Sequence, residues 1–191
     1  MTVHKVRIHG RGGQGAVTAA KNLAPAIHRE GRNVQAIPAF GVERRGAPVE
    51  AYLKFTDDLD ELIPTRTYVH DPDYVIILDD SLIDSSEAKD VTRGLAKDGT
   101  VVVNTTADPA DLSLDAARTA TVDAGTIAEE VIGRSNIVNT VLLGSFAAAT
   151  DVVSIENVEA AIRERFPEDI REANVEAARL GYERTVVPAT L

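Results

Sequence analysis

The chain of 191 residues contains no cysteine. This absence excludes disulfide bonds, a cysteine nucleophile, and cysteine-ligated zinc or iron–sulfur clusters on this chain. No apolar run approaches the roughly 20 residues that cross a bilayer, and the first residues predict a strand where a signal peptide would carry an apolar core. We therefore expect a cytoplasmic protein without a membrane segment, folded as a single domain over residues 1–191.

The net charge of −10 is distributed unevenly along the chain. Residues 1–55 contain nine Lys and Arg against three Asp and Glu, which gives this part a charge of +6, and the remainder carries −16. An acidic protein is not expected to bind nucleic acid as its main partner. The basic first third is where we expect an anionic small molecule or an acidic partner surface to bind.

Strand and helix patterns alternate along the chain, which predicts an α/β fold with a mostly parallel sheet flanked by helices and a helical C-terminal part. Strands are predicted over 3–9, 33–38, 49–55, 74–78, 100–104 and 119–122. Helices are predicted over 16–29, 82–95, 126–132, 137–149, 155–166 and 170–183, with Ser154 as the cap of the helix that starts at 155.

A glycine-rich turn lies between the first predicted strand and the first predicted helix. It consists of Gly10, Arg11, Gly12, Gly13, Gln14 and Gly15. Glycines permit positive φ angles and let a ligand approach the main chain closely, and the start of a helix offers unpaired N–H groups. This order of elements favours binding of a phosphate, a carboxylate or a nucleotide-like ligand. A tight turn without any ligand is the alternative.

The turn fits the G-x-G-x-x-G spacing of dinucleotide-binding folds, but its surroundings do not fit an ordinary dehydrogenase. Such enzymes carry an acidic residue after the second strand for the ribose hydroxyls, and here residues 36–39 read Ala-Ile-Pro-Ala, with Glu43 as the nearest acid. A Walker-type phosphate loop is also disfavoured, because no Gly-Lys-Ser/Thr sequence is present.

A second loop after the next predicted strand contains Glu43, Arg44, Arg45 and Gly46. Guanidinium groups bind phosphate and carboxylate through two parallel hydrogen bonds, so this loop suits an anion. An ion-pair cluster or a subunit interface would use the same residues. Because ligands in open α/β sheets bind beyond the carboxyl ends of strands, we expect both loops to meet at one edge of the sheet.

No complete active site is visible in the sequence. The four histidines lack metal-ligand spacing with a second histidine or a glutamate. Asp79 and Asp80 follow a predicted buried strand, and the simpler interpretation is that they cap the segment starting at Ser81. We expect no catalysis by this chain in isolation, because no nucleophile and base are paired.

The motifs themselves resemble those of a known family. Residues 10–17 (GRGGQGAV), 35–41 (QAIPAFG) and 43–49 (ERRGAPV) are similar to the gamma subunits of pyruvate:ferredoxin oxidoreductase and related 2-oxoacid:ferredoxin oxidoreductases. Residues 139–144 (NTVLLG) and 174–177 (NVEA), with Gly181-Tyr182, resemble the C-terminal half of the same subunits. The glutamate followed by two arginines is closest to the pyruvate branch.

The resemblance implies a Rossmann-like, non-catalytic gamma subunit of a complex that converts a 2-oxoacid and coenzyme A to acyl-CoA and carbon dioxide while reducing ferredoxin. Thiamine diphosphate and magnesium are then expected on the alpha and beta subunits, and 4Fe–4S clusters on the beta and delta subunits, with no cofactor on this chain. The two loops would contact coenzyme A or another subunit. An isolated chain would form a homodimer through its exposed apolar surface. The alternative is a stand-alone Rossmann-type nucleotide-binding oxidoreductase.

Overall fold

A computed structural model describes residues 2–38, 46–63, 66–84 and 90–188. The six strands are β1 (Val3–Arg11), β2 (Val34–Pro38), β3 (Pro48–Thr56), β4 (Tyr74–Ile77), β5 (Thr100–Asn104) and β6 (Arg118–Val122). The five helices are α1 (Ala16–Arg29), α2 (Ala124–Ile132), α3 (Asn139–Ala149), α4 (Ile155–Arg165) and α5 (Glu168–Arg184). None of the helices in these ranges is both long and apolar enough to span a bilayer.

The strands form one sheet in the order β2-β3-β1-β4-β5-β6. Strand β1 pairs in parallel with β4, β4 with β5, and β5 with β6. Strand β3 is antiparallel to both of its neighbours, β1 and β2. It follows that β3 alone among the described strands runs against the others, and the predicted mostly parallel α/β sheet is confirmed.

The two faces of the sheet are covered differently. Apolar residues on one face of β1 and β3, such as Ile8 and Leu53, belong to a single buried cluster to which all five helices contribute. On the other face, Ile77 and Val101 pack against Leu82 and Val91, which lie in irregular segments of the chain. In the described part of the chain, the helices therefore lie on one face and turns and loops cover the other.

Helix α3 lies in the centre of the helical layer, and ten of its 11 residues are buried. It approaches α5 so closely that a Cβ atom at Gly144 would overlap the carbonyl oxygen of Ala178, and one at Gly181 would overlap that of Val141. Glycine at these positions lets the two backbones touch. This packing joins the two C-terminal segments that carry the family resemblance.

The helix predicted over 82–95 is wrong for the residues that the structure describes. At the start of the predicted helix the chain forms only a 3₁₀ turn, Asp80–Leu82, and near its end residues 91–94 form turns. The side chains of Asp79 and Asp90 each accept a hydrogen bond from the backbone N–H two residues further on. Such local bonds compete with a helix, and Gly94, with a φ of 73°, ends the second part. Residues 85–89 lie outside the described ranges.

Candidate functional site

The glycine-rich turn connects β1 to α1 directly, as the sequence predicts. Gly13 and Gly15 have φ angles of 101° and 85°, which residues with a side chain rarely adopt. A Cβ atom at Gly15 would also lie 2.5 Å from Nδ2 of Asn139, at the start of α3. The glycine-rich turn is therefore shaped both by its own backbone angles and by contact with the central helix.

The structure brings the second loop onto the first. The N–H of Gly12 donates to the carbonyl of Ala47 at 2.9 Å, and the N–H of Gly46 donates to the carbonyl of Gly12 at 3.0 Å. Nη1 of Arg11 also donates to the carbonyl of Gly46 at 3.1 Å. The two loops meet beyond the carboxyl end of β1. The other predicted site residues of the second loop, Glu43, Arg44 and Arg45, lie outside the described residues.

The interior of the glycine turn is occupied by one of its own side chains. Oε1 of Gln14 accepts a hydrogen bond of 2.7 Å from the N–H of Arg11, and the same oxygen lies 3.5 Å from where a Cβ of Gly10 would be. Nε2 of Gln14 donates to Oδ2 of Asp79 at 2.7 Å. The Gln14 amide therefore links the N–H at the start of the turn to Asp79.

An open groove of about 300 Å³ lies on the outer side of the turn, at the start of α1. Its lining residues come from the turn, the first turn of the helix and β3: Arg11, Gly12, Gly13, Gly15, Ala16, Val17, Thr18 and Val49. No side chain in the described residues caps the start of α1, and no acidic residue lies in its first turn. The positive end of the helix thus faces the groove without a negative group from α1 itself.

Most of the cations in the basic first third are held by other parts of the chain. Six of them have partners: Lys5 with Asp71, Arg7 with Val91 and Arg93, Arg11 with Ser81 and Asp79, Arg29 with Glu164, Arg32 with the ring of Phe55, and Lys54 with Thr67. The excess of positive charge in the sequence therefore does not become an open basic patch in the described residues.

A buried polar cluster lies on the loop-covered face of the sheet. Arg7 and His9 are 1% and 4% exposed. Nη2 of Arg7 donates to the carbonyls of Val91 and Arg93, at 3.0 and 2.7 Å. Burial lowers the pKa of His9 to about 4, although nearby Glu50 acts in the opposite direction. The imidazole is neutral at pH 7, and the cluster fastens the segment before β5 to the sheet.

Among the described residues, no group of three or more His, Asp or Glu side chains is placed so that it could hold a metal ion. The absence of cysteine from the whole sequence also excludes thiolate ligands for an iron–sulfur cluster.

The sequence profile of the pyruvate ferredoxin/flavodoxin oxidoreductase family matches residues 5–184. The chain belongs to this family. It is 48% identical over 180 residues to pyruvate synthase subunit PorC of Methanothermobacter marburgensis, covering 94% of this chain and 96% of the relative. It is also 48% identical over 187 residues to the common gamma subunit of the pyruvate/ketoisovalerate oxidoreductases of Thermococcus litoralis, covering 96% and 97%.

A solved structure agrees with the sequence relatives. Subunit PORC of pyruvate oxidoreductase from Thermotoga maritima superposes with a TM-score of 0.82 at 33% identity, covering 99% of this chain and 100% of that one. The predicted gamma-subunit family is therefore confirmed along the whole length of the chain, and so is the fold that the resemblance implies.

Sequence reasoning missed two residues that shape the groove. The sequence predicts Asp79 only as a cap, and its carboxylate does accept from the N–H of Ser81 at 3.1 Å, but its second oxygen accepts from Gln14. In the sequence Asn139 belongs only to a family motif, whereas in the structure it packs against Gly15. The position of Asp79 directly after a buried strand is the sequence signal that could have placed it at the site. No feature of the sequence indicates the contact between Asn139 and Gly15.

Proposed function

We propose that this chain is the gamma subunit of a pyruvate or other 2-oxoacid:ferredoxin oxidoreductase. The complex converts a 2-oxoacid and coenzyme A to acyl-CoA and carbon dioxide, and transfers the electrons to ferredoxin. The observation that supports this most directly is the match to gamma subunits over 94% or more of this chain and of the relatives. Family membership favours a subunit over a stand-alone Rossmann-type oxidoreductase.

The cofactors of the reaction belong to other subunits in this proposal. Thiamine diphosphate and magnesium are held by the alpha and beta subunits, and 4Fe–4S clusters by the beta and delta subunits. The chemistry of this chain supports the division, because it has no cysteine and its described residues offer no cluster of metal ligands. The gamma chain contributes to assembly and to the binding of coenzyme A.

The groove at the start of α1 takes the phosphate end of coenzyme A. Three features support this role: the uncapped helix start, the absence of acids from its first turn, and the exposed Gly13, where no atom lies within 4 Å of the position that a Cβ would take. A groove of about 300 Å³ is at the lower end of ligand sites, so it accommodates part of coenzyme A, with the rest on another subunit. The guanidinium of Arg11 is paired with the carboxylate of Asp79, so in this proposal Arg44 and Arg45, which precede Gly46 in the sequence, supply the positive charge for the phosphates.

A subunit interface is the second role of the second loop in this proposal. Exposed apolar side chains in the segment after β3, which leaves that strand at the end opposite the glycine turn, provide a further surface for a partner. Leu59, Leu62 and Tyr68 are 48%, 76% and 52% exposed, and apolar side chains of this size are commonly covered in a complex. In this account the partners are the alpha, beta and delta subunits. In the isolated chain, a second copy covers the same surface and forms a homodimer.

Copurification from the native source tests the subunit assignment. We expect alpha, beta and delta chains to copurify, with 2-oxoacid-dependent reduction of ferredoxin by the complex and none by the isolated chain. A nicotinamide-dependent or flavin-dependent activity of the isolated chain, without partners, would overturn the assignment.

A matched pair of substitutions tests the groove. Thr18 is exposed in the first turn of α1 and lines the groove. Thr18→Glu adds a carboxylate that stabilises a helix start but repels an anion, whereas Thr18→Gln adds nearly the same volume without charge. We expect the affinity of the assembled complex for coenzyme A to fall about tenfold with Glu relative to Gln, since close like charges cost about 1.4 kcal/mol or more. Equal affinities would contradict the proposed site.

Substitution of the two arginines separates the two roles of the second loop. In Arg44→Ala and Arg45→Ala variants, weaker binding of coenzyme A by a fully assembled complex supports ligand contact. Loss of assembly with unchanged affinity in the complexes that still form supports the interface role.

A further inference from the structure

We propose that Asp79 is a positioning residue for the glycine turn, and that it sets the turn before the ligand arrives. The inference rests on the proposed binding of coenzyme A in the groove. Asp79 lies two residues beyond β4, and its carboxylate has three partners. Oδ2 accepts from Gln14 at 2.7 Å and lies 3.6 Å from Nε of Arg11, while Oδ1 accepts from the N–H of Ser81 at 3.1 Å and from its hydroxyl.

The first partner determines which way the Gln14 amide faces. A carboxylate only accepts hydrogen bonds, so the NH₂ group of Gln14 must face Asp79 and its oxygen must face the opposite way. That oxygen accepts from the N–H of Arg11 at 2.7 Å. The amide of Gln14 therefore spans the turn from one side to the other in a single orientation. It fills the interior of the turn and so supports the shape of the loop.

Ser81, another of these partners, holds Arg11. Nη2 and Nε of Arg11 donate to the Ser81 hydroxyl at 2.9 and 3.2 Å, and Nη1 donates to the carbonyl of Gly46. The Ser81 hydroxyl in turn donates to Asp79. Arg11 thus links the two loops, and it is held to the same carboxylate both through Ser81 and directly, by its ion pair with Oδ2 of Asp79.

One carboxylate consequently fixes three parts of the site: the glycine turn, Gly46 at the end of the second loop, and the end of β4. A site that is ordered before binding loses less conformational freedom on binding. Removing the carboxylate should weaken the binding of coenzyme A without affecting steps in which coenzyme A takes no part.

Asp79→Asn in the assembled complex tests the inference. The amide keeps the shape but presents one oxygen in place of two, and its NH₂ group opposes either Gln14 or the Ser81 N–H. We expect the KM for coenzyme A to rise about tenfold, the factor that corresponds to loss of one charge-assisted hydrogen bond. The KM for the oxoacid and kcat at saturating coenzyme A should stay within about twofold of the wild type.

Asp80→Asn is the matched control, because Asp80 is the adjacent exposed acid and the change in charge is the same. Gln14→Met supplies the second control: if Asp79 acts through Gln14, adding Asp79→Asn to Gln14→Met should raise the KM for coenzyme A by much less than it does in the wild type. If Asp79→Asn fails to assemble, Ser81→Ala removes the hydroxyl that joins Arg11 to Asp79 but leaves their direct ion pair, and it should produce a smaller rise of the same kind.

Two results would overturn the inference: an equal KM for coenzyme A in Asp79→Asn and Asp80→Asn, or full additivity with Gln14→Met. Thr18→Glu in the same assay distinguishes this failure from failure of the proposed function. If Thr18→Glu weakens binding and Asp79→Asn does not, only the positioning role is wrong. If neither variant weakens binding, the groove is not the site for coenzyme A.

Discussion

Nε of the buried Arg7 donates a hydrogen bond of 3.0 Å to Nε2 of His9, two residues further along β1. Because that nitrogen accepts, the proton of the neutral imidazole lies on Nδ1. His9 is followed by Gly10, so the buried cluster leads directly into the glycine turn. The groove and the buried Arg7–His9 cluster lie at the same end of β1. The contribution of the cluster can be measured through the free energy of unfolding.

Titration of His9 should make the folded state less stable in acid. Burial lowers the pKa of His9 to about 4 from an ordinary value of 6.5, so between these values the unfolded chain binds a proton that the folded chain does not. The free energy of unfolding should therefore decrease as the pH falls from about 6.5 to about 4, by up to about 3 kcal/mol. Urea unfolding across this range measures the loss.

His9→Gln provides the comparison for this titration. Its amide oxygen can accept from Arg7, and it does not titrate. The stability of the variant should decrease less steeply over the same pH range, with only the carboxylates contributing. Identical slopes for the wild type and the variant would show that His9 does not carry the effect.

Replacing Arg7 by lysine should destabilise the chain by about 2 kcal/mol. An ammonium group lacks the planar fork that reaches His9 and the carbonyls of Val91 and Arg93 together, so buried acceptors lose their donor. Lys5→Met is the control on the same strand, since Lys5 pairs with the exposed Asp71 and such pairs contribute less than about 1 kcal/mol. Comparable losses in the two variants, measured by chemical denaturation, would contradict the importance of the buried cluster.

Two glycine-to-alanine changes in helices should change the free energy of unfolding in opposite directions. In Gly144→Ala the new methyl group would overlap the backbone of α5, and we expect a loss of about 3 kcal/mol or more. In Gly125→Ala, near the start of α2, the nearest atoms lie 3.7 Å away, and alanine should stabilise the helix by up to about 0.5 kcal/mol. Thermal unfolding checks both, and a tolerated Gly144→Ala would mean that α3 and α5 lie further apart.

The alternation of patterns was sufficient to predict the fold. The predicted strands and the five confirmed helices lie within a few residues of those observed, and Ser154 accepts from the N–H of Asn157 as the predicted cap of α4. The predicted helix over 82–95 failed because aspartate side chains and the distant Arg7 bind its backbone groups. Hydrophobic periodicity contains no information about such bonds.

The site was only partly predictable. The glycine spacing identified the turn, and the strand order placed both loops at one edge. The Gln14 side chain inside the turn and its bond to Asp79 were not predictable, because they depend on three-dimensional contacts between residues 65 positions apart. The side-chain partners of Lys5, Arg29 and Lys54 also come from distant parts of the chain and could not be predicted. The count of basic residues in the first third of the sequence therefore overestimates the positive charge available to a ligand.

The central claim is that coenzyme A places its phosphates in the groove at the start of α1, and a structure of the assembled complex with coenzyme A tests it most directly. The account predicts phosphate oxygens within about 3 Å of main-chain nitrogens between Gly13 and Thr18, with the Asp79–Gln14 bond intact. Side chains of another subunit filling the groove, and coenzyme A bound elsewhere, would contradict it.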